Sequence, residues 1–278
     1  MLEQLQRVLK QAEQIAARLG QIEGVTAVAL GGSWARGAGR PGSDIDLGIY
    51  YHPDHPPSIA TLRQLAQELD DRHPAEAVTD YGGWLTINGQ PVDWLYRDLA
   101  LVNRCITDGL AGKIATYYQP GHPHAFHTHI YTGEVHYCRP LYDPDGSLAA
   151  LKALTDPYPL KLKQALTNTW EARFALDTCR KSAARGDVFH VSGSLFRCVA
   201  ILVQALFALN ERYIINEKGA VSAIDTFPLR PATFGESVTA ILAHPGHTPE
   251  ELLHSIDQLE QLVQAVDILC SEIVSRSE

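Results

Sequence analysis

At 278 residues, 45% hydrophobic and 20% charged, the chain is long enough for one large or two modest domains, each burying an ordinary core. Its 23 Lys and Arg stand against 32 Asp and Glu, a net charge of −9. That balance disfavours an extended nucleic acid, which needs a basic face, and suits a small or cationic acceptor.

The five cysteines, Cys105, Cys138, Cys179, Cys198 and Cys270, are scattered and form no Cys-x-x-Cys pair. They read as thiols of a reducing, cytoplasmic setting. The start, Met1-Leu2-Glu3-Gln4-Leu5, reads as an amphipathic helix rather than a targeting segment. No uninterrupted apolar run has the length of a bilayer span, so no membrane partner is expected.

In chain order, residues 1–20 read as a helix ending near Gly20, and Val25 to Leu30 as a buried strand. Gly31-Gly32-Ser33 then turns the chain, with Ser33 as N-cap of a short helix through Arg36. Asp46 to Tyr51 is a strand, His52 to Pro57 a loop, and Ser58 to Arg72 a helix with Leu62, Leu65, Ala66 and Leu69 at helical spacing. Trp84 to Ile87 and Val92 to Tyr96 form a hairpin around Asn88-Gly89, a dipeptide suited to a tight turn. Arg97 to Asp108 reads as a helix and Glu134 to Leu141 as a strand, closed by the turn Tyr142 to Gly146. Long helical patterns follow at Lys161 to Ala184, Val188 to Tyr213 and Pro249 to Ser275, a helical bundle with its own core. The reading is α+β, with a first domain at 1–146 and a helical domain at 147–278.

The chemistry concentrates in residues 31–47. Asp44 and Asp46 are one residue apart, and on a strand such residues share a face while Ile45 and Leu47 pack into the opposite layer. Two carboxylates so close repel unless a cation lies between them. Hard oxygen ligands suit Mg²⁺, which completes its shell with water and substrate phosphates. The glycines of the turn allow close backbone approach, and a helix N-terminus offers free N–H groups to phosphate. Phosphates and metal are thus brought together from adjacent strands.

The pattern of a hydrophobic strand ending at Leu30, then Gly32-Ser33, about ten residues, and Asp44-Ile45-Asp46 resembles the nucleotidyltransferase superfamily that includes DNA polymerase beta. Within it the chain is similar to small bacterial members such as the kanamycin and lincosamide nucleotidyltransferases. The resemblance implies a mixed sheet with helices in the catalytic domain, followed by a helical bundle. It implies a third carboxylate from a later strand, and Asp93 in Pro91-Val92-Asp93-Trp94-Leu95-Tyr96 fits; Glu76 and Asp80 have poorer strand contexts. Asp44, Asp46 and Asp93 are then both catalytic residues and ligands of two Mg²⁺ ions, with Asp93 also a base candidate. Gly32, Ser33, Arg36 and Lys218 would bind the triphosphate, with ATP as donor. The implied reaction moves a nucleoside monophosphate to a hydroxyl of a small molecule such as an aminoglycoside. Two other readings stand beside it: a protein-adenylylating, antitoxin-like enzyme, and a non-catalytic nucleotide-binding interaction protein. The apolar helices also allow a homodimer.

Other residues keep alternatives open. Lys218 is either a triphosphate ligand or a solvated turn residue with Gly219 as a C-cap. His122, His124, His127 and His129 have no standard metal spacing; they line a cleft or lie on the surface. Glu134 and Asp143 are base candidates or ordinary strand-edge and turn residues. Trp34 stacks on a base or fills a hinge, and Arg40 decorates the loop.

Overall fold

The computed structural model describes residues 2–72 and 77–274. The chain folds as two compact units, residues 1–107 with 131–157 and residues 108–130 with 158–278. Glu76 lies outside the described residues.

The first unit begins with α1 (Leu2–Leu19), β1 (Val25–Leu30), α2 (Gly32–Ala35), β2 (Ile45–Tyr51) and α3 (Ile59–Leu69). The hairpin β3 (Gly82–Ile87) and β4 (Gln90–Asp98) follows, turning through Asn88 and Gly89 at φ 51° and 72°. Both residues at positive φ are what a tight hairpin turn of this hand requires. Then come α4 (Leu99–Leu110), the short strands β5 (Thr116–Tyr117) and β6 (Phe126–His127), α5 (His129–Tyr137), β7 (Arg139–Tyr142) and α6 (Ser147–Ala153). The five-stranded sheet has the order β3-β4-β2-β1-β7. β2 and β4 run parallel, and the other neighbours are antiparallel.

One face of this sheet is a core layer. Ile45, Leu47 and Ile49 of β2, Val92 and Trp94 of β4, and Leu85 and Ile87 of β3 are buried with Val8, Ala12, Ile15, Ala16 and Leu19 of α1 and Leu62, Leu65 and Ala66 of α3. The period of two then sends the alternate side chains, Asp46 and Asp93 among them, to the other face.

The second unit holds the β5–β6 pair and the helices α7 (Leu160–Leu166), α8 (Trp170–Ala183), α9 (Val188–Leu209), α10 (Ala220–Ile224), α11 (Phe234–Ala243) and α12 (Pro249–Val274). Its core joins α8, α9, α11 and α12 through residues such as Leu176, Leu195, Leu202, Leu206, Phe234, Leu252 and Leu259.

Several elements differ from the sequence reading. Glu134 does not begin a strand: residues 129–137 are helical, and the strand is only Arg139–Tyr142. Val135 is β-branched, which favours a strand reading, but it is buried on a helix instead. The pattern 161–184 is two helices, interrupted at residues 167–169. Helix α3 stops at Leu69 because the Asp70 carboxylate accepts from Arg72 N and Thr86 N, at 2.8 and 3.0 Å, and redirects the chain to β3. By length and composition α9 does reach a bilayer span, with mean hydropathy 1.8, but 72% of that stretch is buried inside the fold.

Candidate active site

The site is built from one end of β1 and the neighbouring starts of β2 and β4. β1 ends in the turn at Gly31, whose N–H donates to Asp46 O at 2.8 Å. Helix α2 starts at once, with Gly31 rather than Ser33 at the N-cap; Ser33 lies inside the first turn. A one-turn helix beginning at Gly32 leaves its first N–H groups without intrahelical partners.

Gly32 has φ 58°, and a Cβ there would collide with Asp46 Oδ2. The turn and the carboxylate therefore touch only because residue 32 has no side chain. Arg36 folds back over the same turn, its Nε donating to Gly32 O at 3.2 Å, and its charge works to lower the Asp46 pKa.

Register places the carboxylates. β2 and β4 pair with Asp46 opposite Asp93, so the two stand side by side on one face. Asp44 precedes β2 rather than lying within it, because the strand starts at Ile45. Its approach is set by Ser43, whose carbonyl accepts from Trp34 Nε1 at 3.1 Å and Gln90 Nε2 at 2.7 Å. Trp34 is buried and its ring fills the space where a Gly39 Cβ would be, so it packs the loop down. That resolves Trp34 as a filling residue. Gln90 has no signal in the sequence, since a glutamine at a hairpin edge carries no local signature.

Burial, then Asp93, Asp44 and Glu134, push the Asp46 carboxyl from 3.8 up to about 6. Burial and then Asp44 push Asp93 up to about 6 as well. These are the electrostatics of part-buried acidic groups gathered together, which the Arg36 charge offsets only in part at Asp46. Among the described residues no three His, Cys, Asp or Glu side chains converge as a ready metal cage. The donor chemistry nevertheless fits a hard divalent cation: paired carboxylate oxygens, held beside an open backbone turn, with charge that a cation would relieve.

Further along this face Arg97 donates two 2.8 Å hydrogen bonds to Glu134, with Tyr131 under its guanidinium. Glu134 is thus committed to an ion pair. Asp143 accepts from Leu148 N and Ala149 N at 3.2 and 2.8 Å and opens α6. Asp80 pairs with Arg63 at 3.8 Å.

Lys218 belongs to the second unit. It is exposed, its N–H donates to Asn216 Oδ1 at 2.8 Å, and Gly219 is the N-cap of α10 at φ 73° rather than a C-cap. The histidine run packs within that same unit instead of lying on its surface. His124 Nδ1 and His127 Nε2 are 3.3 Å apart, Gln204 Nε2 is 2.9 Å from His127 Nε2, and His122 Nδ1 is 3.2 Å from Glu217 Oε2. His129 is 1% exposed, and burial holds it neutral with its pKa down to about 3.

Residues 9–82 match the family model described as Nucleotidyltransferase domain, a span that includes Gly32, Ser33, Asp44 and Asp46. A solved structure of a nucleotidyltransferase-like protein from Exiguobacterium sibiricum 255-15 is similar over 97% of this chain and 80% of that one, at 10% identity and a TM-score of 0.48. No curated protein matches the chain.

Proposed function

We propose, from the match of residues 9–82 to a nucleotidyltransferase domain model together with the carboxylate geometry, that the protein moves a nucleoside monophosphate from ATP to a hydroxyl of a small-molecule acceptor. The observation that carries the reading is the register that sets Asp46 against Asp93, one strand from the Gly31–Gly32 turn.

In the proposed reaction the acceptor oxygen forms a bond to the α-phosphorus, and the bond from that phosphorus to the bridging oxygen of the β-phosphate breaks. Pyrophosphate leaves, and the hydroxyl proton passes to Asp93 or to water. The N–H groups of Gly32 and Ser33 hold the leaving phosphates at the opening of α2. Arg36, already folded on that turn, supplies positive charge beside them. Asp44, Asp46 and Asp93 would hold Mg²⁺. The bound ions would lower the pKa of the attacking hydroxyl and stabilise the entering and leaving oxygens. Trp34 and Gln90 keep the Asp44 end of the loop in place through Ser43.

The test follows pyrophosphate release from ATP with Mg²⁺ across a panel of aminoglycosides and lincosamides, beside Asp46→Asn. Acceptor-dependent release that the variant loses supports the reading. Release that survives Asp46→Asn, or labelled AMP transferred only to protein, overturns it.

A further inference from the structure

We propose that Trp84 is the platform against which a ring-bearing acceptor, of the amino-sugar class, rests its apolar face. This deepens the reaction proposed above and rests on it. The sheet gives three neighbouring strands one row: Asp46 of β2 opposite Asp93 of β4, and Asp93 opposite Trp84 of β3. Residues opposite each other share a face, and adjacent strands are about 4.8 Å apart. Trp84 thus stands beside Asp93 on the carboxylate face, while its neighbours Leu85 and Ile87 are in the core.

Trp84 is 55% exposed, an unusual state for a large aromatic side chain on a well-anchored strand. Its backbone is held on both edges, by pairing with β4 and by its own N–H donating to Ala77 O at 2.8 Å. The next row along the face is Gly48, Leu95 and Gly82. Leu95 is half-buried between two glycines, so an aliphatic floor adjoins the exposed indole. Gly82 is itself buried, and a Cβ there would meet the Trp94 carbonyl at 2.6 Å, so the exposed part of this surface is the indole and the Leu95 side chain beside it.

Chemistry says which substrate meets this surface. Phosphoryl transfer runs with attacking and leaving oxygens roughly in line. The leaving phosphates belong at the α2 turn, which lies on the β1 side of Asp46. The acceptor therefore approaches from the opposite side, where β4 and then β3 lie. A sugar ring has hydroxyls on its edge and an apolar C–H face, which matches a carboxylate next to an indole and a leucine.

The experiment uses the full chain, Trp84→Ala and Trp84→Phe. Calorimetry measures kanamycin binding in the presence of Mg²⁺ and a non-hydrolysable ATP analogue, and kinetics separates KM for kanamycin from kcat. The outer-face position of Trp84 predicts wild-type folding for both variants. The expected result is about tenfold weaker kanamycin binding in Trp84→Ala, recovered in Trp84→Phe, with nucleotide binding and kcat unchanged. Nucleotide binding with no kanamycin binding, or equal kanamycin binding in all three proteins, overturns the proposal and leaves the active-site reading standing. Weaker nucleotide binding in Trp84→Ala overturns it too, by assigning the indole to the base. Failure of the wild type to bind the nucleotide analogue overturns the active-site reading itself, and this proposal with it.

Discussion

Asp46 is where the chemistry and the stability of this protein meet. Its pKa is raised to about 6, first by burial and then by Asp93 and Asp44. A raised carboxyl pKa means that the folded state holds the proton more tightly than the unfolded chain. The group's favourable contribution is complete below about pH 4 and is lost as pH rises through about 6. Asp46→Asn should therefore stabilise the metal-free protein at pH 7.5, by about 1–3 kcal/mol, and give almost no gain at pH 4. Denaturant melts at the two pH values check this, and equal gains at both would exclude the electrostatic cause. Gly32→Ala tests the same contact from the other side. The new methyl group would collide with Asp46 Oδ2, the mobile end of a side chain, so the carboxylate swings away while the strands stay. The expected outcome is a loss of turnover of about a hundredfold or more with destabilisation of only ~1–2 kcal/mol, read from kinetics and a thermal melt.

At the scale of elements, the loop between α2 and β2 carries Asp44, and two side chains from different elements hold it at one carbonyl. Removing the Gln90 amide deletes a 2.7 Å hydrogen bond to Ser43 O and leaves the Trp34 bond to the same atom. Gln90→Ala should cost about 0.5–1.5 kcal/mol in stability but lower turnover more than that figure implies, because Asp44 loses its fixed approach. Trp34→Phe combined with Gln90→Ala should be worse than the sum of the two, since they share a partner. Additive effects on turnover would show that the loop is held elsewhere.

Which elements are legible in the sequence follows from how local their causes are. The hairpin is readable because Asn88-Gly89 dictates its own turn, and β1 because Val25 to Leu30 is apolar with glycine at its end. Asp93 stands out by its strand context, but its opposition to Asp46 depends on a parallel pairing that no local pattern specifies. The Asn88-Gly89 turn does set Trp84 opposite Asp93, a register local to the hairpin, whereas the bond from Gln90 to Ser43 joins distant parts of the chain and leaves no local mark. The end of α5 from Glu134 on reads as part of a strand because the apolar residues there have no strong helical stripe. The histidines give no hint that Gln204, far along the chain, meets them.

For the molecule as a whole, the fold keeps two cores with different tasks. The helical unit is built around α9, whose apolar length is matched by its burial, while the sheet unit carries the charged row. A chain of net charge −9 that also sets Asp46 and Asp93 side by side, with Asp44 close enough to raise both their pKa values, should repel a bare triphosphate. A divalent cation reverses the sign of that local field, so nucleotide and metal should bind as a pair. A ligand that binds only the folded state stabilises it by about 2.7 kcal/mol at a hundred times its Kd. For a chain of this size each kcal/mol is worth about 2–4 °C in Tm. Mg²⁺ with ATP should thus raise Tm by about 5–10 °C, and ATP with EDTA should leave it nearly unchanged. Asp46→Asn should flatten the metal-dependent part of the shift even though its own apo melting temperature is higher at neutral pH. A shift of equal size with EDTA would mean that the nucleotide sits away from the carboxylates, and the assignment of Asp44, Asp46 and Asp93 as its metal ligands would fall.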